Sequence, residues 1–315
     1  VVDSAMKRVP LNEGGSVLDI GSNDGTLLRC YPTKMFTIGV EPADNLQEEG
    51  HTDIDLLIHD FWPVKDWPSD RQADIITACG MFYDLDDPNP FVAAVADVLA
   101  DNGVFVAQLM LLQDMIELGD VGNFSHEHLE FYTLRSLNFL FARHGLTIFD
   151  IEHNDVNGRS TRLYVCHAGK RAVYAKVFRD LHGERGLYDP SFYQQRQSEM
   201  VANAATIKQF LVDAKAEGKR TWVYGASTKG NVILQLCGID KTLVDGAADR
   251  SPEKWGMVTI GTGILIESEE FARKQNPDYF LVLPYAFLPE FLEREVKWRS
   301  KGGQFLVPLP SFRVV

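Results

Sequence analysis

Cysteine is scarce in this 315-residue chain, and Cys30, Cys79, Cys166 and Cys237 are so scattered that no two form a Cys-x-x-Cys pair. That spacing argues against a zinc knuckle or a disulfide framework, and it fits a reducing compartment, so a cytoplasmic location is expected. Long apolar runs are missing too: nothing approaches the ~20 residues needed to span a bilayer, and no membrane partner is expected. The opening Val1-Val2-Asp3-Ser4-Ala5-Met6-Lys7 has no signal-peptide core and no initiator Met, as in a fragment. Positive charge is also short, with 31 Lys and Arg against 44 Asp and Glu, for a net charge of -13. Such a balance repels phosphate backbones, so nucleic acid is not an expected partner, and an anionic substrate would need a local basic pocket. There is no low-complexity tract and no internal repeat.

What is present is alternation. Ser16–Ile20, Phe36–Val40, Ile54–Ile58, Ala73–Ala78 and Val104–Leu109 read as strands, with helical patterns opening at Gly25–Cys30 and over Phe91–Ala100. Strands alternating with helices predict a parallel sheet covered on both faces. Leu146–Glu152 and Thr161–His167 read as two more strands, with the turn-forming Asn157-Gly158 between them. The fold class expected is α/β: a class I methyltransferase-like Rossmann sheet ending in an antiparallel hairpin, then a smaller Rossmann-like α/β domain. In the second part Ser191–Glu217 reads as a long helix. Thr221–Tyr224, Leu243–Ala248, Asp278–Leu283 and Phe305–Pro308 read as strands, and Lys229–Leu236 and Glu290–Lys301 as helices. The division expected is a first domain over 1–169, a connector over 170–190 and a second domain over 191–315.

The first strand runs into Asp19-Ile20-Gly21-Ser22-Asn23-Asp24-Gly25. Glycine permits positive φ and close approach to a ligand. Counted from Gly21, the G-x-G-x-x-G spacing of dinucleotide folds fails at Asn23 and Thr26. The run instead resembles the methyltransferase pattern D-x-G-x-G-x-G with Asn23 at the middle glycine, so S-adenosyl-L-methionine is the expected cofactor and S-adenosyl-L-homocysteine the product. Asp19, Gly21, Ser22, Asn23 and Gly25 are then cofactor-binding candidates, Asp19 facing the cationic amino end. Glu41, followed by Pro42, stands at the end of the second strand, where an acid accepts hydrogen bonds from ribose hydroxyls. Asp60 and Phe61 follow the third strand, suited to the adenine amino group and ring. Cys79 and Gly80 end the fourth, beside the methyl group.

After the fifth strand comes Ser125-His126-Glu127-His128-Leu129-Glu130-Phe131-Tyr132. Loops beyond the carboxyl ends of parallel strands are where such sheets bind ligands. Histidine titrates near neutral pH, so two histidines around a glutamate suit acid/base work. The spacing is not the H-E-x-x-H of zinc helices and no third ligand is identifiable, so no metal is expected. A buried structural histidine beside a surface one remains the alternative.

Val17–Leu28 together with His126-Glu127-His128-Leu129 resembles the nucleotide-deoxysugar C-methyltransferases, which methylate C3 of 4-keto sugars. The resemblance continues through 156–162, Tyr224-Gly225-Ala226-Ser227-Thr228-Lys229-Gly230-Asn231, 248–252 and 302–310, and so spans nearly all of the chain. It implies that His128 removes the proton α to a ketone, that Glu127 orients or supports it, and that the substrate is a small molecule, a nucleotide sugar. A weakly acidic C–H needs both a placed base and a donor for the enolate oxygen; Tyr132 is the candidate phenol, with core packing as the even alternative. Phe131 is expected in the core. The family's N-terminal four-cysteine zinc domain has no counterpart in these residues.

Departures collect on the substrate side. Ser125 stands where the family has Tyr, Cys79-Gly80-Met81-Phe82-Tyr83-Asp84 replaces its Asn pair and His, Arg159 replaces the second Gly of its His-Gly-Gly-Ser turn, and Gly263 stands at a family His. Tyr83, Asp84 and His126 become substrate-binding candidates. Lys229, in a strand–loop–helix, and Arg162 are candidates for a phosphate, the alternatives being a helix cap and a solvated strand residue. An O- or N-methyltransferase of another metabolite, and a non-catalytic cofactor-binding module of a larger assembly, stay open; oligomeric state is unassigned.

Overall fold

The computed structural model describes residues 1–9, 14–43, 46, 53–65, 67–68 and 71–315. The chain forms two compact units, one of residues 1–112 with 129–185, the other of 113–128 with 186–315. The strand-to-helix excursion carrying the histidines is thus shared out between units, a feature no composition shift marks.

In the first unit helix α1 (Val2–Met6) precedes β1 (Ser16–Ile20), β2 (Phe36–Val40), β3 (Leu56–Ile58), β4 (Ala73–Cys79), α2 (Pro88–Val98) and β5 (Leu99–Leu109). α3 (Leu112–Glu117) leads into the excursion, and α4 (Leu134–Arg143), β6 (Leu146–Asn154), β7 (Ser160–His167) and α5 (Ala175–Gly183) follow. The strands order as β3-β2-β1-β4-β5-β7-β6. β1 pairs in parallel with β2 and β4, and β7 runs antiparallel to β5 and β6. This is the expected Rossmann-like sheet with its terminal hairpin. The order reverses between β1 and β4, and the crevice beyond such a switch point takes the ligand. Val17, Leu18 and Ile20 are buried because both sheet faces are covered, which is why the strand reads as a continuous apolar run. One face packs on α2 and α4 through Phe82, Phe91, Phe105 and Phe141; the other packs Val2 and Ala5 of α1 against Val17, Ile75, Val104 and Tyr164.

Local caps explain the helix starts. Asp87 accepts from the Asn89 N–H ahead of α2, with Pro88 at its first position. Thr133 and Ser136 form a reciprocal capping box on α4. Two expectations fail locally. The helix expected at Gly25–Cys30 is a single 3₁₀ turn, Leu28–Cys30, because Asp24 takes both the backbone N–H and the hydroxyl of Thr26, and Pro32 keeps Tyr31 extended. The expected connector at 170–190 holds α5, which buries only Val177 and so shows little periodicity in sequence.

In the second unit α6 (Pro190–Ala216) and then β8 (Thr221–Tyr224), α7 (Thr228–Cys237), β9 (Gly246–Asp249), β10 (Ile266–Ser268), α8 (Glu269–Lys274), β11 (Tyr279–Val282), α9 (Leu288–Arg294), α10 (Val296–Arg299), β12 (Gln304–Val307) and β13 (Arg313–Val314) build a sheet ordered β10-β9-β8-β11-β12-β13. It is parallel except for β13. β10, α8 and β13 are short elements that the sequence pattern does not resolve. Among the described residues no helix is long and apolar enough to cross a membrane.

Glu184 is buried, and its carboxylate accepts the first backbone N–H groups of α4, Leu134 and, at 2.9 Å, Arg135. Glu184→Ala would orphan both donors, and a loss of about 1–3 kcal/mol is expected. A urea titration checks it: the midpoint should fall while the slope stays unchanged.

Candidate active site

The loop after β1 is shaped by left-handed backbone at Gly21 (φ 74°), Asn23 (φ 51°) and Gly25 (φ 76°). Asn tolerates that region better than most side chains, which is why it can replace the middle glycine. Glu41, buried at the end of β2, holds the loop: its Oε2 accepts the Asn23 N–H at 2.9 Å and its Oε1 the Ala43 N–H at 3.0 Å. The loop also needs Gly39, since a Cβ there would stand 2.8 Å from Ser22 Oγ and 3.0 Å from Leu57. The Ser22 hydroxyl therefore turns toward β2, where it is buried and has no hydrogen-bond partner.

Two cavities meet on this loop. One, of about 470 Å³, is lined by Asp19, Gly21, Ser22, Asn23, Cys79 and the start of α1. The other, of about 650 Å³, is lined by Gly21, Asn23, Glu41, Pro42, Asp60, Phe61, Cys79, Gly80 and Asp84, with Trp62 and Met81 besides. Both have the size of small-molecule sites. The structure thus brings together the residues predicted from the ends of four different strands, and of these only Gly25 lines neither cavity, serving the turn instead. Phe61 is 75% exposed, an aromatic face open to a ring ligand, and the Asp60 side chain caps its N–H at 2.8 Å.

Asp19 is buried beneath the loop and accepts the Thr77 hydroxyl at 2.5 Å. Burial pushes its carboxyl up to about 7, the Thr77 hydrogen bond opposing and the Glu41 charge adding. Thr77 had no sequence signal beyond being a polar residue in an apolar strand. Burial also pushes the Cys79 thiol up to about 12, so it is a neutral wall and not a nucleophile.

The catalytic candidates divide. Tyr132 belongs to the first unit, its ring in the apolar core 5.4 Å from Phe82 and its buried hydroxyl without a hydrogen-bond partner among the described residues. Burial raises its pKa, which keeps the phenol a donor. Phe131 is half-buried. Tyr83 is half-buried, and its carbonyl accepts the Leu129 and Glu130 N–H groups at 3.0 Å each. Arg162 is neither solvated nor open to a phosphate at its Nε and Nη1, which are held by Gln108 at 2.9 Å and Glu152 at 3.2 Å.

His126, Glu127 and His128 belong to the second unit; the first two are exposed and His128 is half-buried. Here the structure adds a buried carboxylate that the sequence reading missed. Asp120 accepts from Asn123 Nδ2 at 2.5 Å and from the Tyr285 hydroxyl, and it lies in the fields of Lys229 and His128. Lys229 is packed so closely that a Cβ on Gly122 would stand 2.9 Å from its own Cβ. Nothing in the local sequence distinguishes Asp120 from a surface acid. Among the described residues no group of three or more His, Cys, Asp or Glu is placed to hold a metal ion.

Residues 2–151 match the family described as a methyltransferase domain, and residues 155–310 match the C-methyltransferase C-terminal domain. The chain is 28% identical to the C-methyltransferase NovU of Streptomyces niveus over 323 aligned positions, covering 100% of this chain and 77% of that one. Among solved structures, the methyltransferase in complex with the Haloferax volcanii activator Trm112 aligns with TM-score 0.43 at 17% identity, over 53% of this chain and 88% of that one. An S-adenosylmethionine-dependent methyltransferase of Clostridium acetobutylicum aligns with TM-score 0.43 at 15% identity, over 53% and 89%. The chain is an S-adenosylmethionine-dependent methyltransferase resembling the deoxysugar C-methyltransferases, and S-adenosylmethionine is its cofactor.

A cationic ligand bound beside Asp19 would favour its ionised form and release a proton. The carboxyl's folded value lies above the ordinary ~3.9, so Asp19 favours the folded apoprotein at low pH, and that contribution fades as pH rises from about 4 to about 7. Affinity for the cofactor should run the other way, rising by up to about tenfold per pH unit below about 7 and levelling above it. Calorimetry across pH 5 to 8 checks this; a profile in Asp19→Asn as steep as in the parent would refute it.

Proposed function

We propose that this methyltransferase methylates a carbon α to a ketone on a nucleotide-linked keto-deoxysugar, with His128 as general base. The observation that carries the reading is the alignment with a C-methyltransferase through the whole chain, second unit included. The chemistry agrees with the residue types. A C–H beside a ketone must lose its proton before carbon is nucleophilic, so a general base is needed at that carbon and a donor at the carbonyl oxygen. His128 takes the proton on a ring nitrogen, and Asp120, buried in the same unit, stabilises the charge it gains. Glu127, next in sequence, supports the orientation of the imidazole. Tyr132 offers a neutral hydroxyl to the developing enolate oxygen, a use consistent with its having no other hydrogen-bond partner. When bound, S-adenosylmethionine supplies the electrophilic methyl group, and the protein supplies alignment. Glu41 would hold its ribose, Asp60 and Phe61 its adenine, and Asp19 its amino end. Tyr83, Asp84 and His126 are proposed for the sugar and Lys229 for the diphosphate, whereas Arg162 is already engaged by Glu152 and Gln108.

Asp84 favours a second reading. An exposed carboxylate on the cofactor cavity, where the family has a histidine, suits deprotonation of an oxygen or nitrogen acceptor. The two readings differ in one measurable step: only carbon methylation requires loss of the α-hydrogen.

His128→Ala is expected to lower turnover by about 10²–10⁴-fold while leaving cofactor affinity unchanged, and undiminished turnover would remove His128 as the base. In deuterium oxide the parent enzyme should wash label into the α position of a 4-keto sugar nucleotide, seen by NMR. Methylation without washout, on oxygen or nitrogen, would establish the second reading.

A further inference from the structure

The cavity lined by Asp19, Gly21, Ser22 and Cys79 is closed on one side by α1, through Val1, Val2 and Asp3. Its ionisable side chains besides the thiols of Cys30 and Cys79 are three carboxylates, Asp3, Asp19 and Asp24, and no Lys, Arg or His lines it. Two of those carboxylates are engaged. Asp24 takes the backbone and hydroxyl of Thr26, and Arg29 stands 3.7 Å away. Asp19 is buried and takes the Thr77 hydroxyl. Asp3 is exposed at the cavity wall, and its carboxylate makes no hydrogen bond or ion pair among the described residues.

Helix α1 (Val2–Met6) is fixed by tertiary contacts. Val2 and Ala5 anchor it in the core behind the sheet. Arg8, just past its end, adds a clamp. The guanidinium donates to Asp150 at 2.8 and 2.5 Å and to Glu152 at 2.8 Å, and it returns to the Ser4 carbonyl at 2.8 Å. It lies 3.6 Å from the centre of the Tyr164 ring, a cation–π stack on top of the ion pairs. Ser4 and Tyr164 both donate to the same Glu152 oxygen, at 2.7 and 2.6 Å. Burial would raise the Glu152 carboxyl, but the hydrogen bonds from Ser4, Tyr164 and Arg8 and the Arg8 charge bring it down to about 2, so the clamp stays charged throughout the working pH range. Arg8 is 13% exposed and Asp150 1%, so the Arg8–Asp150 pair is shielded from solvent screening and is not a surface ion pair.

Resting on the reading that this cavity takes the amino-acid end of S-adenosylmethionine, we infer that Asp3 is a cofactor-binding residue that receives the α-ammonium together with Asp19, and that Arg8 is the positioning residue that holds α1, and with it Asp3, against the cavity. The division of labour is physical. Asp3 stands exposed at the cavity wall with its carboxylate oxygens open to a ligand, whereas Asp19 lies buried beneath the loop and already takes the Thr77 hydroxyl. The clamp fixes the helix before the ligand arrives, so less ordering is left to the binding step.

The test uses the full chain, calorimetry and two ligands: S-adenosylhomocysteine, and 5′-methylthioadenosine, which keeps adenosine and sulfur but lacks the amino-acid end. Asp3→Asn should weaken the first by about tenfold, as expected for one charge contact, and leave the second within about twofold. Arg8→Gln should weaken S-adenosylhomocysteine similarly, Arg8→Lys less, and the double variant Asp3→Asn/Arg8→Gln no more than Arg8→Gln alone. Equal weakening of both ligands in Asp3→Asn, or of neither, would overturn the assignment of Asp3. Additive losses in the double variant would overturn the link to Arg8. Asp3→Asn changes an exposed side chain and decides the first point even if Arg8→Gln fails to fold.

Discussion

The bond from the Asn23 N–H to the Glu41 carboxylate is the contact on which the shape of the loop after β1 depends. It ties the loop after β1 to the end of β2, and it holds a left-handed turn that its sequence favours only in part. The same carboxylate takes the Ala43 N–H, so its direction is set before any ligand arrives. A carboxylate that had to be ordered on binding would lose part of its contribution to entropy; this one is already fixed. Gly39 is what allows Ser22 to fold over β2 beneath that bond.

The second unit uses the same device on its own sheet. Asp249 ends β9 and accepts the Ala226 N–H at 2.8 Å in the loop after β8, as Glu41 does for the loop after β1. There the acid is also paired with Lys254 at 3.2 Å, and Trp255 donates to its carbonyl. Buried carboxylates recur wherever backbone N–H groups would otherwise be orphaned, as with Glu184 at the start of α4. Glu295 extends the device to side chains, binding Arg273 and the Tyr224 hydroxyl. An acidic chain can keep so many carboxylates inside because each is given donors.

This economy separates two kinds of acid that look alike in sequence. Asp19, Glu41 and Asp120 are each buried and hydrogen-bonded, whereas Asp3, Asp60 and Asp84 are exposed on cavity walls. Which acids bind ligand and which hold the loops follows from burial and available donors. The His126-Glu127-His128 run shows the same limit. Adjacent in sequence, its members differ in exposure, and the carboxylate whose field reaches His128 is Asp120, eight residues back on another turn.

The sequence by itself determined the alternation, the β1 loop and the order in which strand ends reach the cavities. Those are local: Ser16–Ile20 and Phe36–Val40 are strands end to end as their apolar runs indicate, and a strand's carboxyl end lies next to its own loop. It also determined the terminal hairpin, since Asn157 and Gly158 both take positive φ there. Only the tertiary structure decided which unit holds the histidines, that Tyr132 has its ring in the core, that Arg162 is bound to Glu152, and that Arg8 clamps α1 across 142 and 144 residues of chain. Those outcomes depend on burial and on partners far away in sequence, and neither leaves a periodic or short-range mark on the residues that share them.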